Sequence, residues 1–204
     1  MDAKMRKAIN HFKKIDPVLF SIAEQVSIDS IEARKSNYYF YALCREIIGQ
    51  QLAGSAAKAI FGRFKKLFPK GKITSRHTLK LSEEEIRNIG TSWAKARYIR
   101  DLAQKVEDGT LDLKSVEKLN DAEAIEKLVQ VKGIGPWTAE MFLIFTMCRE
   151  DIFSHGDLGL RKAIIKHYSL RSPDREKIEK ITIKWSPYRT YACRILWKSL
   201  DAKL

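Results

Sequence analysis

Apolar residues recur along this chain at three- and four-residue intervals almost from end to end, and no segment keeps the strict alternation of a half-buried strand. The pattern predicts an all-α protein with helices over residues 3–14, 17–26, 37–50, 54–68, 74–80, 83–89, 93–108, 113–118, 121–130, 136–148, 157–167, 174–183 and 187–201. Turn chemistry separates them. Asp16-Pro17, Pro69-Lys70-Gly71, Asp108-Gly109 and Ser172-Pro173-Asp174 supply breaks and caps, and Ser82 followed by Glu85 fits a capping box. No internal repeat and no low-complexity linker interrupts the series.

One stretch breaks the run of plain amphipathic helices. From Leu128 to Asp157 the chain reads as a helix end, the turn Gly133-Ile134-Gly135, a second apolar helix, and a short loop closing on an aspartate. Glycine tolerates positive φ and lets another chain approach its backbone, while Pro136 suits the first position of a helix. Leu128 and Val131 before the turn, and Ala139, Phe142 and Leu143 after it, fall at helical spacing, so residues 121–148 read as a helix-hairpin-helix. Unpaired N–H groups at the start of the second helix, at its positive dipole end, form a site for a phosphate. Asp157 has a plain role too, as the N-cap of the following helix.

Composition narrows the partner. The 204 residues carry 38 Lys+Arg against 25 Asp+Glu, a formal net charge of +13, with enough apolar content, 45%, to build a core. A polyanion is favoured as partner, the alternative being a basic surface that serves solubility. Cys44, Cys148 and Cys193 are scattered through apolar stretches without a Cys-X-X-Cys pair, so the sequence predicts reduced thiols and neither a zinc site nor a four-cysteine iron–sulfur cluster. The first twenty residues are charged throughout, which predicts neither a secretory signal nor a membrane span and places the protein in the cytoplasm, on the nucleoid, or in a nucleus.

The segment Val131-Lys132-Gly133-Ile134-Gly135-Pro136-Trp137-Thr138-Ala139-Glu140-Met141, followed by Asp151-Ile152-Phe153 and Asp157, resembles the helix-hairpin-helix and aspartate signature of the HhH-GPD DNA glycosylase superfamily, in particular its 3-methyladenine DNA glycosylase II branch. Three further stretches agree: Glu46 to Leu52 with Ser55-Ala56-Ala57, Gly90 to Ile99, and Trp185 to Ala192 through Trp197. The resemblance covers about residues 38–200. It implies two helical lobes, one about 38–135 and the other about 1–37 plus 136–204, flanking an active-site cleft, in a form without the β-rich N-terminal domain of longer bacterial relatives.

Residue by residue, the resemblance places the catalytic aspartate on Asp157. Trp137 stands where bifunctional relatives have a nucleophilic lysine, which implies hydrolysis without strand cleavage. Trp137, Met141 and Trp197, with Trp93 as a further member, would line the base pocket, where aromatic faces attract a cationic base. Met141 replaces an aromatic residue of some relatives. Gln51 and Leu52 correspond to the wedge that fills the gap left by a flipped base, although Leu52 reads equally as a helix-packing residue. Gln50 and Gln51 are poor core residues, since buried amides need partners.

Gly133, Gly135, Thr138 and Lys132 would meet the DNA backbone, and Lys95, Arg97, Arg161, Lys162 and Arg189 are candidate phosphate contacts, each of which, taken alone, reads first as a solvated charge or an ion-pair partner. Trp185 reads as core. No cofactor is implied, apart from a monovalent cation at the hairpin carbonyls. The expected partner is double-stranded DNA containing alkylated bases, bound by a monomer. Two other functions fit parts of the sequence: a helix-hairpin-helix that binds DNA without cleavage, which has no need for Asp157 or the tryptophans, and a glycosylase for oxidised or deaminated bases, which would carry a lysine at position 137 or an iron–sulfur cluster.

Overall fold

The structure, a computed structural model, describes residues 3–171 and 174–202, so the Ser172-Pro173 turn signal lies outside the described residues. Among the described residues the regular elements are all helices. They are α1 (Ala3–Ile15), α2 (Pro17–Gln25), α3 (Tyr39–Gly49), α4 (Gly54–Lys66), α5 (Ser75–Lys80), α6 (Glu83–Asn88), α7 (Trp93–Glu107), α8 (Asp121–Leu128), α9 (Pro136–Phe145), α10 (Leu158–His167), α11 (Arg175–Thr182) and α12 (Arg189–Asp201). The helix expected over 113–118 is only a 3-10 turn, Ser115–Lys118, and a second such turn, Ser36–Tyr38, leads into α3.

Helix starts follow capping chemistry. Asp16, Ser82, Ser92, Asn120, Asp157 and Asp174 each accept a first-turn N–H through the side chain, with complete capping boxes at Ser82/Glu85 and Asn120/Glu123. Each such cap supplies partners for amides that no helix can satisfy internally.

The chain forms two compact units, one of Met1–Glu32 with Cys148–Leu204 and one of Ala33–Met147. In the first, α2 packs on α1 and α12, and α12 on α10. Its core contains Phe12, Leu19, Leu160, Ile164, Ile195, Leu196 and the fully buried Trp185, as expected for that tryptophan. Asp16 is also buried there. Its carboxylate accepts the Leu19 amide at 3.0 Å, the Tyr168 hydroxyl at 2.7 Å and the Trp185 indole at 2.8 Å, which satisfies a charge that would otherwise be costly inside a core.

In the second unit α3 is the central element, packed by α4, α7 and α9. It presents Phe40, Leu43, Ile47 and Ile48 to the interior, and Tyr39 meets the ring of Phe142 on α9 edge-on at 5.2 Å. The unit boundaries differ from the sequence expectation. Helix α9 was expected in the lobe formed by the two ends of the chain, but it belongs to the 33–147 unit because Ala139, Met141, Phe142, Leu143 and Ile144 are buried and leave it no apolar face for elsewhere. The Arg34 amide donates to Thr146 O at 2.9 Å, fastening residues just before α3 to the end of α9.

Candidate active site

The hairpin occupies its expected place, with α8 ahead of the turn and α9 behind it. Val131 and Ile134 are buried beneath the turn, and the chain is closed by Val131 N–H to Leu128 O at 3.1 Å and Ile134 N–H to Val131 O at 3.0 Å. The two glycines have separate reasons. Gly133 has φ +83°, and a Cβ there would lie 2.0 Å from Cδ2 of Tyr98 on α7. Its missing side chain therefore makes room for Tyr98. Gly135 has φ −88°, starts α9 with no side-chain cap, and has open space where a Cβ would be. The main chain at the start of α9 is therefore open at Gly135.

Other second-unit residues fall into place around the turn. Trp137 is 42% exposed on the first turn of α9, while Met141, one turn on, is 6% exposed. Trp93 is the first residue of α7 and is 48% exposed. Lys132 presents its side chain to solvent and its amide donates to Asp101 Oδ2 at 2.9 Å, which ties the turn to α7. The Thr138 side chain is buried and its hydroxyl accepts Gln50 Nε2 at 3.1 Å, so any DNA contact by Thr138 is restricted to the main chain.

The two glutamines diverge. Gln50 is half-buried and donates to Gly133 O at 2.8 Å as well as to Thr138, whereas Gln51 and Leu52 are exposed at the tip between α3 and α4, Gln51 with φ +57°.

Asp157 belongs to the first unit. It caps α10, and its Oδ1 accepts two N–H groups, Leu160 at 2.8 Å and the Trp197 indole at 2.9 Å. Capping and catalysis, competing explanations in the sequence, are compatible here, because the cap fixes the carboxylate's rotamer at the positive end of a helix dipole. Trp197, expected as a pocket wall, acts on the carboxylate directly. Gly159 makes this possible: a Cβ there would be 3.1 Å from Asp157 Oδ1 and 3.3 Å from Trp197 Cδ1.

The loop leading to Asp157 is held by the start of α12. Arg189 grips Asp151 with Nε to Oδ1 at 2.8 Å and Nη2 to Oδ2 at 2.9 Å, and Ser186 Oγ adds a bond of 2.8 Å. Burial works to raise the Asp151 pKa, but the hydrogen bonds from Arg189 and Ser186 outweigh it and hold the carboxyl below its ordinary value. The Thr190 hydroxyl accepts the Ile152 amide at 3.0 Å and donates to Arg149 O at 2.6 Å. One helix, α12, thus carries both the clamp on the loop and the indole on the carboxylate.

Two of the candidate phosphate contacts have partners within the protein. Lys95 Nζ donates to Ile48 O at 2.8 Å and Gln50 O at 2.6 Å, and Arg189 is engaged with Asp151. Arg97 and Lys162 are exposed, and Arg161 is partly so. Sequence reasoning missed Tyr98, Asp101 and Gly159 as parts of the site, since their roles depend on Gly133, Lys132 and Trp197, each more than thirty residues away. Among the described residues no three His, Cys, Asp or Glu side chains gather as metal ligands, and no helix is long and apolar enough to cross a membrane.

The HhH-GPD superfamily base excision DNA repair model matches residues 44–187. The chain belongs to that family. It is 32% identical to a DNA-3-methyladenine glycosylase of Saccharomyces cerevisiae, over 97% of this chain and 80% of that protein. Among solved structures, a 3-methyladenine DNA glycosylase of Schizosaccharomyces pombe in complex with abasic DNA superposes with a TM-score of 0.81 at 31% identity, covering 97% of both chains. A DNA-3-methyladenine glycosidase of Bacillus halodurans gives a TM-score of 0.81 at 35% identity, over 97% of this chain and 89% of that one.

Proposed function

We propose that this protein is a monofunctional DNA glycosylase that removes alkylated purines of the 3-methyladenine type from double-stranded DNA in base excision repair, acting as a DNA-associated monomer. The observation that carries the reading is the Asp157 carboxylate, held by two N–H donors at the start of α10 in a chain whose hairpin ends in Gly135-Pro136-Trp137. Capping α10 needs only the Leu160 bond, so a hairpin that only binds DNA has no use for the second donor, the Trp197 indole.

An alkylated purine already carries positive charge. When its N-glycosidic bond breaks, the bonding electron pair neutralises the base, and the sugar is left as an oxocarbenium-like cation. Asp157 stabilises that cation and orients the attacking water, whose oxygen bonds to C1′ while its proton passes to the carboxylate or to solvent. The base leaves without acid catalysis, so selectivity depends on a pocket that accepts and stacks the flipped base. We assign the stacking to Trp137, Met141, Trp93 and Trp197, and the filling of the vacated stack to Gln51 and Leu52. With tryptophan at position 137, no amine stands there to form a Schiff base with the sugar.

Gly135 and the first turn of α9 bind a backbone phosphate, with Lys132 beside them. Carbonyl oxygens suit a hard monovalent cation there.

The test is base release. Wild-type protein incubated with methylated DNA should liberate 3-methyladenine or 7-methylguanine on chromatography, with strand breaks only after alkali. No released base would overturn the enzymatic reading, and scission without alkali or amine would overturn the monofunctional one.

A further inference from the structure

Lys95, Gln50 and the turn of the hairpin form one hydrogen-bonded assembly inside the 33–147 unit. Lys95 Nζ on α7 caps the end of α3 by donating to Ile48 O at 2.8 Å and Gln50 O at 2.6 Å. Burial pushes the Lys95 pKa down, yet two carbonyls at the negative end of α3 receive its charge. Gln50, whose main chain is gripped in this way, sends its side chain across to the hairpin, to Gly133 O at 2.8 Å and Thr138 Oγ1 at 3.1 Å. The next two residues, Gln51 and Leu52, are exposed, and among the described residues the tip's main chain bonds internally through Leu52 N–H to Gly49 O at 3.2 Å. A short exposed tip held by so little of its own hydrogen bonding takes its position from its root.

We propose that Gln50 and Lys95 are positioning residues that lock the Gln51–Leu52 tip to the hairpin, so that a phosphate bound at α9 fixes how deeply the tip enters the base stack. The inference rests on the glycosylase reading, in which the tip fills the gap left by the flipped base. Two hydrogen bonds run from Gln50 to the hairpin and two charge-assisted ones from Lys95 to the root. Loss of either set therefore frees the tip without unfolding α3, whose core side chains remain buried. Neither residue needs to touch the lesion.

The test compares Gln50→Met, Lys95→Met and Lys95→Arg with wild type in single-turnover release of 7-methylguanine from two duplexes. In one the lesion faces cytosine, and in the other it faces a stable abasic analogue, where no partner base holds it in the stack. Gln50→Met and Lys95→Met should slow release from the paired duplex about tenfold and change the unpaired one by less than about twofold. Lys95→Arg, which keeps donors at the carbonyls, should fall nearer wild type. Equal slowing on both duplexes, or none on the paired one, would overturn the proposal. Hydrogen exchange at the Leu52 amide provides a readout independent of catalysis and should be faster in both methionine variants. If wild type released no base from either duplex, the glycosylase reading would fall, and an unchanged exchange rate would separately sink the tether.

Discussion

The indole N–H of Trp197 donates to Oδ1 of Asp157 at 2.9 Å, forty residues away in sequence, so the indole and the carboxylate form a single hydrogen-bonded unit. Trp197→Phe keeps a ring and deletes the donor. The expected result is a fall of about tenfold in kcat with KM changed less than about threefold, because the bond acts on the reacting group rather than on DNA affinity. Comparable loss in kcat and KM would instead mark Trp197 as a binding surface only.

Asp157→Asn should separate capping from chemistry. Asparagine caps a helix about as well as aspartate, so thermal unfolding should shift by no more than a few degrees. Base release should drop by about two to four orders of magnitude, the range for loss of an essential acid–base group. Undiminished release would remove Asp157 from the mechanism while leaving the protein an enzyme.

Gly159→Ala tests the close approach over the first turn of α10. A glycine-to-alanine change within a helix ordinarily stabilises by about 0.5–1 kcal/mol. Here the new methyl meets Asp157 Oδ1 at 3.1 Å and Trp197 Cδ1 at 3.3 Å, so kcat should fall severalfold with no rise in Tm.

Stability at low pH should depend on Asp151. Its folded pKa lies below the ordinary 3.8, so the stabilisation it contributes is complete above that value and is lost as pH falls through the folded-state pKa. Asp151→Asn should therefore lower Tm most at neutral pH, with the difference from wild type shrinking as the pH drops below 3.8. A gap that widens in acid would contradict the assignment of the shift to Arg189 and Ser186.

Salt dependence checks the revised set of DNA contacts. With Lys95 and Arg189 engaged inside the protein, Arg97, Lys132, Arg161 and Lys162 remain as candidates, and four neutralised phosphates give a slope of log affinity against log salt near about −3.6. Lys162→Ala should reduce its magnitude by about 0.9, whereas Arg189→Ala should act mainly on stability. A slope near zero for wild type would exclude a phosphate-binding mode.

Periodicity, caps and turn residues determined much of this protein by themselves. The twelve α-helices among the described residues were legible because most carry an apolar stripe, a capping side chain or both, all properties of neighbouring residues. The hairpin, the aspartate and the tryptophan at position 137 were legible for the same reason: their spacing is local.

Tertiary structure decided what spacing cannot express. Gly133 and Gly135 look equivalent in sequence, but only Gly133 has positive φ and a tyrosine ring against it, contributed by α7. Gln50 and Gln51 are neighbours, yet one turns inward to the hairpin and the other outward. Lys95 and Arg189 read as surface charges until their partners, 45 and 38 residues distant, were in place. The cause is common to all of these: a buried or half-buried polar group must find a partner or lose free energy, and packing alone determines which partner is within reach.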